Sequence, residues 1–109
     1  MNSCIFCKIR DREIPKEFIY EDEDVMVFPD ISPLKPIHLL VIPKAHIPSI
    51  MELENNVLND KIHKVLKEMV RKHNLQNKGF RIVINGGGAQ AIDHLHFHLT
   101  GPWGIATDM

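Results

Sequence analysis

The sequence predicts one α+β domain built around an antiparallel sheet. Two segments show the three- and four-residue apolar spacing of amphipathic helices, and five short segments rich in β-branched and aromatic residues are typical of strands. Most of these strands follow one another through turns or loops, which favours antiparallel pairing over a doubly wound sheet. The 109-residue chain has no internal repeat, low-complexity tract or linker, so we expect a single domain over residues 1–109.

The first elements are predicted to be a helix and a hairpin. Residues 4–12 carry apolar side chains at helical spacing, and Pro15 ends this helix. Residues 17–20 and 24–28 are rich in β-branched and aromatic residues and flank an acidic turn. We therefore expect these two segments to pair as a hairpin.

The middle of the chain predicts a buried strand and a long helix. A proline-rich loop at residues 29–36 leads to a nearly continuous apolar run at residues 37–42, which Pro43 stops. Residues 58–70 then carry an apolar stripe at helical spacing, with lysines and a glutamate off the stripe. The helix has several possible start positions within residues 49–56.

The last third predicts two strands joined by a glycine-rich loop. Residues 80–84 form the first strand, directly after Gly79, and residues 85–88 (NGGG) form a turn or loop. Residues 94–100 form the final strand, which ends where Gly101 and Pro102 break the pattern.

Composition excludes several classes of function. The chain is 44% hydrophobic and 25% charged, as in ordinary globular proteins, and its net charge of −1 disfavours a general nucleic-acid binder. No apolar run approaches the roughly 20 residues of a membrane span, and the N-terminus does not resemble a signal peptide. We therefore expect a cytoplasmic protein with no membrane partner, whose two cysteines are thiols or metal ligands.

The most informative segment is residues 94–99, which reads HLHFHL. Alternate side chains of a strand point to the same face, so the three apolar residues enter the core while His94, His96 and His98 share the other face. Two uses fit three imidazoles on one face: ligation of zinc, or attack by a neutral imidazole on an electrophile. A surface strand with chance histidines is the alternative.

The preceding loop, residues 85–90 (NGGGAQ), favours catalysis at a phosphoryl group. It offers backbone N–H groups and two side-chain amides, which together can surround an anion. A glycine-rich loop alone is weak evidence, because Asn-Gly is also a common hairpin turn. Joined to three histidines on one face, it predicts a phosphoryl electrophile held by amides and attacked by imidazole.

At these residues the sequence resembles the histidine triad family, and in particular its nucleotide-binding-protein branch. The resemblance runs from Cys4 to about Gly101 and rests on four collinear motifs: IFCKI at 5–9, FPDISP at 28–33, HLLVIPKAH at 38–46 and HLHFHLT at 94–100. It implies a five-stranded antiparallel sheet with two helices, paired as a homodimer. It also implies hydrolysis of purine nucleoside phosphoramidates or related nucleotides with a leaving group on the α-phosphate.

The resemblance assigns roles to individual residues. His96 matches the nucleophile, which forms a transient nucleotidyl-histidine; His98 matches the residue that contacts the phosphate and helps the leaving group; and His38 matches a supporting histidine. Asp30 matches the carboxylate that binds the ribose. The residues matching the base pocket are Ile5, Phe6, Ile9, Phe28, Ile31 and Leu40, and those matching the phosphate loop are Asn85, Ala89, Gln90 and Ala91.

The chain departs from this pattern in two places. Many relatives carry a serine where this chain has Ala91, so protonation of the leaving group is left to His98 or water. Many relatives also have a longer C-terminal tail with a tryptophan that shapes the partner's site, whereas Trp103 falls closer to the triad. Specificity for the leaving group is therefore open at this point.

Cys4 and Cys7 have the separation of a zinc knuckle, and residues three apart share one face of a helical turn. Without a second cysteine pair, the two remaining ligands must be histidines. In the subset of the family with this cysteine pair, the resemblance implies that His46 and His94 complete a structural zinc site. A thiol redox pair and two unremarkable thiols are the alternatives, and the redox pair lacks its expected βαβ context.

Three other functions compete with phosphoramidate or acyl-nucleotide hydrolysis. One is cleavage of dinucleoside polyphosphates or nucleotidyl transfer. Another is a zinc-stabilised nucleotide-binding or partner-binding module with little catalysis, which Ala91 and the short tail favour. A DNA-end processor is disfavoured by the net charge and by the lack of a basic extension.

Overall fold

The computed structural model describes residues 3–105 and confirms the predicted fold class. Five antiparallel strands form one sheet in the order β1-β2-β3-β5-β4. The elements in chain order are α1 (Ile5–Arg10), β1 (Tyr20–Glu21), β2 (Val25–Pro29), β3 (Ile37–Pro43), a 3-10 turn (Ile50–Glu52), α2 (Asn56–Lys72), β4 (Arg81–Ile84) and β5 (Phe97–Gly101).

The two helices lie on opposite faces of the sheet. The stripe of α2 (Ile62, Val65, Leu66, Met69, Val70) packs on the face that carries Leu39, Val41, Phe97 and Leu99. The Asn55 side chain caps this helix by accepting a hydrogen bond from the N–H of Leu58 at 3.0 Å. α1 packs on the other face through Phe6 and Ile9. Within residues 3–105 no helix combines the length and apolar character that crossing a membrane requires.

The predicted hairpin is present, but its first strand is shorter and begins later than predicted. Only residues 20–21 pair with β2, with Tyr20 opposite Val27. The turn is closed by Asp22, whose carboxylate accepts hydrogen bonds from the Tyr20 hydroxyl at 2.5 Å and from the N–H groups of Asp24 and Val25 at 2.8 Å each. Lys61 of α2 lies 3.2 Å from the same carboxylate, which joins the hairpin to the helix.

We expect Asp22→Asn to destabilise the fold by about 1–2 kcal/mol, lowering the melting temperature by several degrees. Burial raises the pKa of this carboxyl, but the hydrogen bonds just described outweigh burial and lower the pKa to about 2. The folded pKa is below the unfolded value of about 3.9, so the stabilisation is complete above that value and is lost as pH falls toward 2.

Thermal unfolding of the wild type and of Asp22→Asn at pH 7 and at pH 3 measures this effect. The difference between their melting temperatures should be smaller at pH 3. The exposed carboxyl of Asp60 on α2 provides the control, and an Asp22→Asn protein that melts like Asp60→Asn at pH 7 would contradict the prediction.

The last strand begins at Phe97, so the predicted start at residue 94 is wrong. The partner strand β3 ends at Pro43, which has no N–H to continue the ladder, and the last pair is Val41 with Phe97. The N–H of Leu95 instead donates to the carbonyl of Ile47 at 2.7 Å. The predicted alternation still holds, because Leu95, Phe97 and Leu99 are all in the core beneath α2.

Candidate active site and metal cluster

The predicted zinc ligands converge in the structure. Cys4 and Cys7 lie at the start of α1, and His46 and His94 lie in the loops that follow β3 and precede β5. The Cys4 Sγ is 3.4 Å from the His94 Nδ1, the Cys7 Sγ is 3.3 Å from the His46 Nδ1, and the two Nδ1 atoms are 3.1 Å apart. All four donor atoms lie within 4.8 Å of one another.

This donor set fits zinc in number, chemistry and spacing. Tetrahedral zinc with Zn–S bonds of about 2.3 Å and Zn–N bonds of about 2.05 Å places its ligand atoms about 3.3–3.8 Å apart. Burial raises the pKa of the Cys4 thiol and lowers the pKa of the His94 imidazole, so without a cation both groups are neutral at neutral pH.

A backbone group orients the most buried ligand. The Nε2–H of His94 donates to the carbonyl of Pro43 at 2.8 Å, so the Nδ1 of the neutral ring carries a lone pair directed at the cysteines. Metal-binding histidines typically have such a partner, which fixes the tautomer and the ring plane. The end of β3 therefore prepares this histidine to bind a metal.

His96, the middle of the three histidines, is oriented by the backbone of His94. The Nδ1–H of His96 donates to the carbonyl of His94 at 2.8 Å, which leaves a lone pair on Nε2. The ring is 8% exposed and meets the edge of the Phe6 ring, with centroids 5.1 Å apart. A neutral imidazole with a free, directed Nε2 is the form that acts as a nucleophile.

Hydrogen bonds also fix the protons of His38 and His98. The N–H of Leu34 donates to the His38 Nδ1 at 3.0 Å, so His38 carries its proton on Nε2. That Nε2 is 3.0 Å from the His98 Nδ1 and 3.5 Å from the Asp30 Oδ2. Because His98 accepts at Nδ1, its own proton is on Nε2. His98 therefore presents an N–H donor beside the lone pair of His96, with ring centroids 5.1 Å apart.

Burial lowers the pKa of His98, and positive charge on His96 or His38 would lower it further. Both effects favour the neutral form of the His98 ring. The spacing of Asp30, His38 and His98 also suits a metal ion. The hydrogen bond from Leu34 argues against one, because the His38 Nε2 that would ligate it carries the proton.

The residues expected to form the base pocket fall into two groups. Four of them pack together between α1 and the sheet and are at most 7% exposed: Phe6, Ile9, Phe28 and Leu40. Ile5 and Ile31 are instead 44% and 89% exposed. Asp30 and Ile31 line an open cavity of about 590 Å³, so the carboxylate expected to bind ribose faces accessible space. The Asp30 Oδ1 accepts a hydrogen bond from the N–H of Ser32 at 2.8 Å.

The residues of the expected phosphate loop are dispersed. Asn85 lines a cavity together with His38 and His98, whereas Ala91 lines a different cavity beside Cys4. Ala89 is exposed. The Gln90 side-chain amide donates to the carbonyls of Pro48 at 2.6 Å and Ile92 at 3.1 Å, so it anchors the loop in this structure.

The backbone groups that fix each histidine tautomer were not predicted. They carry no signal in side-chain identity, because a carbonyl or an N–H is present whatever the side chain.

Comparison with known proteins shows extensive similarity. Residues 3–104 match a family model described as scavenger mRNA decapping enzyme C-term binding. The chain is 41% identical over 105 residues to protein HitA of Neisseria gonorrhoeae, covering 93% of this chain and 97% of that protein. It is 40% identical over 103 residues to a 14 kDa zinc-binding protein of Brassica juncea, covering 89% of this chain and 90% of that protein.

Solved structures agree with the sequence relatives. A HIT family hydrolase from Clostridium thermocellum has a TM-score of 0.88 and 38% identity, covering 100% of this chain and 96% of that one. A histidine triad nucleotide-binding protein from Candida albicans has a TM-score of 0.81 and 31% identity, covering 97% and 87% of the two chains. The similarity therefore extends through both helices and all five strands.

Proposed function

Because this chain belongs to the histidine triad family, we propose that it hydrolyses purine nucleotides whose α-phosphate carries a leaving group. The substrate class is nucleoside phosphoramidates or acyl-nucleotides, and the product is a nucleoside monophosphate. The observation that carries this proposal is the pairing of a free His96 Nε2 lone pair with a His98 Nε2–H donor in one row. Neighbours known as HIT family hydrolases support a hydrolytic reaction.

The reaction proceeds in two balanced steps. The His96 Nε2 attacks the α-phosphorus and forms a P–N bond, while the bond to the leaving group breaks and its electron pair stays with that group. The Nε2–H of His98 donates a hydrogen bond to the departing atom, which takes its proton from a water molecule. The hydroxide that this leaves attacks the phosphorus, and the P–N bond breaks to release the monophosphate and restore His96.

Substrate contacts follow from the positions of the remaining predicted residues. Asp30 can accept two hydrogen bonds from the ribose diol, and Asn85 lies beside His98, where an amide can contact a phosphate oxygen. The apolar cluster between α1 and the sheet supports the base, and a relative described as a nucleotide-binding protein supports a nucleotide ligand. We place the loop of residues 85–91 next to the phosphate of the substrate.

Zinc in this proposal is structural. Four protein ligands leave no open coordination position for substrate, so the ion stabilises α1 against the end of β3 and the start of β5. A relative named as a zinc-binding protein supports the choice of metal. The ion takes no direct part in the two steps above.

We expect a homodimer that forms through β4. This strand is an edge of the sheet, and Phe80, Ile82, Val83 and Ile84 are each 38–42% exposed. Exposed edges with apolar side chains invite pairing with a second copy. Light scattering should give a dimeric mass for the wild type and a monomeric mass for Ile82→Lys. Met51→Lys, which changes an apolar residue exposed elsewhere, should remain dimeric, and an Ile82→Lys dimer would contradict the prediction.

A substrate panel tests the function directly. Adenosine and guanosine phosphoramidates, an aminoacyl adenylate and a dinucleoside polyphosphate are each incubated with the protein in ¹⁸O-water. We expect the phosphoramidates and the aminoacyl adenylate to give monophosphate that carries one ¹⁸O. Turnover of the dinucleoside polyphosphate alone would select the competing hydrolase. Micromolar binding of monophosphate with no turnover would select the binding module, which the absence of a hydroxyl at Ala91 favours.

A further inference from the structure

The two cysteines of the metal cluster differ in their accessibility. Cys7 is 1% exposed, whereas Cys4 is half-buried and lines a cavity of about 460 Å³. The exposed side chain of His46, another residue of the cluster, lines the same cavity. A small molecule that enters this cavity therefore reaches Cys4 before it reaches Cys7.

The two sulfur atoms are also placed to form a disulfide. Both lie within the 4.8 Å that contains all four donor atoms of the cluster. The carbonyl of Cys4 accepts from the N–H of Lys8 at 3.0 Å, so Cys4 and Cys7 share the first turn of α1. Residues three apart in such a turn have Cα atoms about 5 Å apart, within the about 4.4–6.8 Å that disulfides span. The sequence has two cysteines, so an intramolecular disulfide has a single pairing.

Oxidation of this pair would reach the nucleophile through His94. A thiol that binds zinc has lost its proton, and the thiolate is the form that reacts with oxidants. A disulfide removes both thiolates and leaves His46 and His94 as two ligands of a site that needs four. The carbonyl of His94 directs the His96 ring through a 2.8 Å hydrogen bond, so a change at this corner of the cluster reaches His96 directly.

We propose that Cys4 and Cys7 form a reversible oxidation site, at which a hydroperoxide converts the zinc-binding pair into a disulfide, releases zinc and slows turnover at His96. The Cys4 thiolate attacks one peroxide oxygen, so that an S–O bond forms, the O–O bond breaks and the departing hydroxide takes a proton from solvent. The Cys7 thiolate then attacks the Cys4 sulfur, so that the S–S bond forms, the S–O bond breaks and a second hydroxide takes a proton. The cysteines lose two electrons, and hydrogen peroxide is reduced to two water molecules.

Titration of the zinc-loaded protein with hydrogen peroxide tests this site. Zinc release, the intact mass and turnover of an adenosine phosphoramidate are measured on the same samples. We expect a mass lower by two hydrogen atoms, release of zinc in proportion to the disulfide, and turnover that falls about 10- to 100-fold. A dithiol reductant with added zinc should restore all three. Oxidation of methionine is distinguished by mass, because a sulfoxide gains an oxygen atom.

Two matched variants test which sulfur reacts first. Cys4→His and Cys7→His each keep four metal ligands and one sulfur, so neither can form the intramolecular disulfide. Cys7→His should form a sulfenic acid at Cys4, which a cyclic 1,3-diketone traps. Cys4→His should react more slowly and retain its zinc, because its remaining sulfur is buried. Equally fast reaction in the two variants would overturn the order of attack, and the wild-type measurements decide the site itself if either variant fails to fold.

The wild-type outcomes separate this site from the proposed function. Disulfide formation and zinc release are independent of the proposed function, whereas the effect on turnover rests on it. A protein that keeps its zinc and both thiols while the exposed Met51 is oxidised would overturn the oxidation site. Sulfinic or sulfonic acids formed without a disulfide would overturn its reversibility, and a disulfide with unchanged turnover would overturn its effect on His96. Absence of turnover before oxidation would overturn the proposed function, and mass and zinc release would still decide the oxidation site.

Discussion

Replacing His96 with alanine is expected to lower kcat by about 10⁴-fold or more while leaving nucleotide binding nearly unchanged. The Nε2 of His96 is the atom that forms the P–N bond, and the neighbouring rings cannot replace it. The His38 and His98 Nε2 atoms both carry protons, because Leu34 donates to one ring and His38 donates to the other. Removing the single directed lone pair therefore removes the covalent step.

Two measurements separate chemistry from binding. Steady-state turnover of an adenosine phosphoramidate gives kcat, and calorimetric titration with adenosine monophosphate gives the dissociation constant. His63→Ala is the matched control, because His63 is exposed on α2, where its ring donates to the carbonyl of Asn59 at 2.9 Å. Retention of full activity in His96→Ala would exclude a histidine nucleophile at this position. A loss of both turnover and binding would show that His96 acts by holding the nucleotide.

The alternation of residues 94–99 was sufficient to place the histidines on one face. Side-chain identity at every second position carries this information, and burying Leu95, Phe97 and Leu99 forces the opposite orientation on their neighbours. The start of the strand was not predictable in the same way. It depends on where the partner strand stops offering N–H groups, and that partner, β3, is more than 50 residues earlier in the chain.

The electronic state of each histidine was also outside the reach of the sequence. Which nitrogen holds the proton depends on Pro43, His94 and Leu34, and each contributes only a backbone group. Any residue type except proline can supply a backbone N–H, and any residue can supply a carbonyl. The cavity that His38 and His98 line illustrates a related limit, because side chains from β3, β4, β5 and the chain after β5 form it together.

His94 links the metal cluster to the catalytic histidine His96. His94 belongs to the cluster through its ring, and its carbonyl accepts the hydrogen bond that directs the His96 ring. A displacement of the His94 backbone therefore changes the direction of the His96 lone pair. A cluster that takes no direct part in the reaction can still set the rate, because the position of the nucleophile depends on it.

Removal of zinc is accordingly expected to lower both stability and activity. At a concentration about 1,000 times its dissociation constant, a ligand that binds only the folded state stabilises it by about 4 kcal/mol, so chelation should lower the melting temperature by roughly 15 °C. Cys7→Ser should melt like the chelated wild type and show no response to chelator, because Cys7 is 1% exposed and its thiol contacts both histidines of the cluster. Turnover should fall about 10- to 100-fold with little change in nucleotide binding, as His96 loses its orientation. Metal content measured alongside melting and turnover decides the matter: a purified protein that lacks zinc, or one whose melting temperature and turnover are insensitive to chelation, would contradict a structural zinc site.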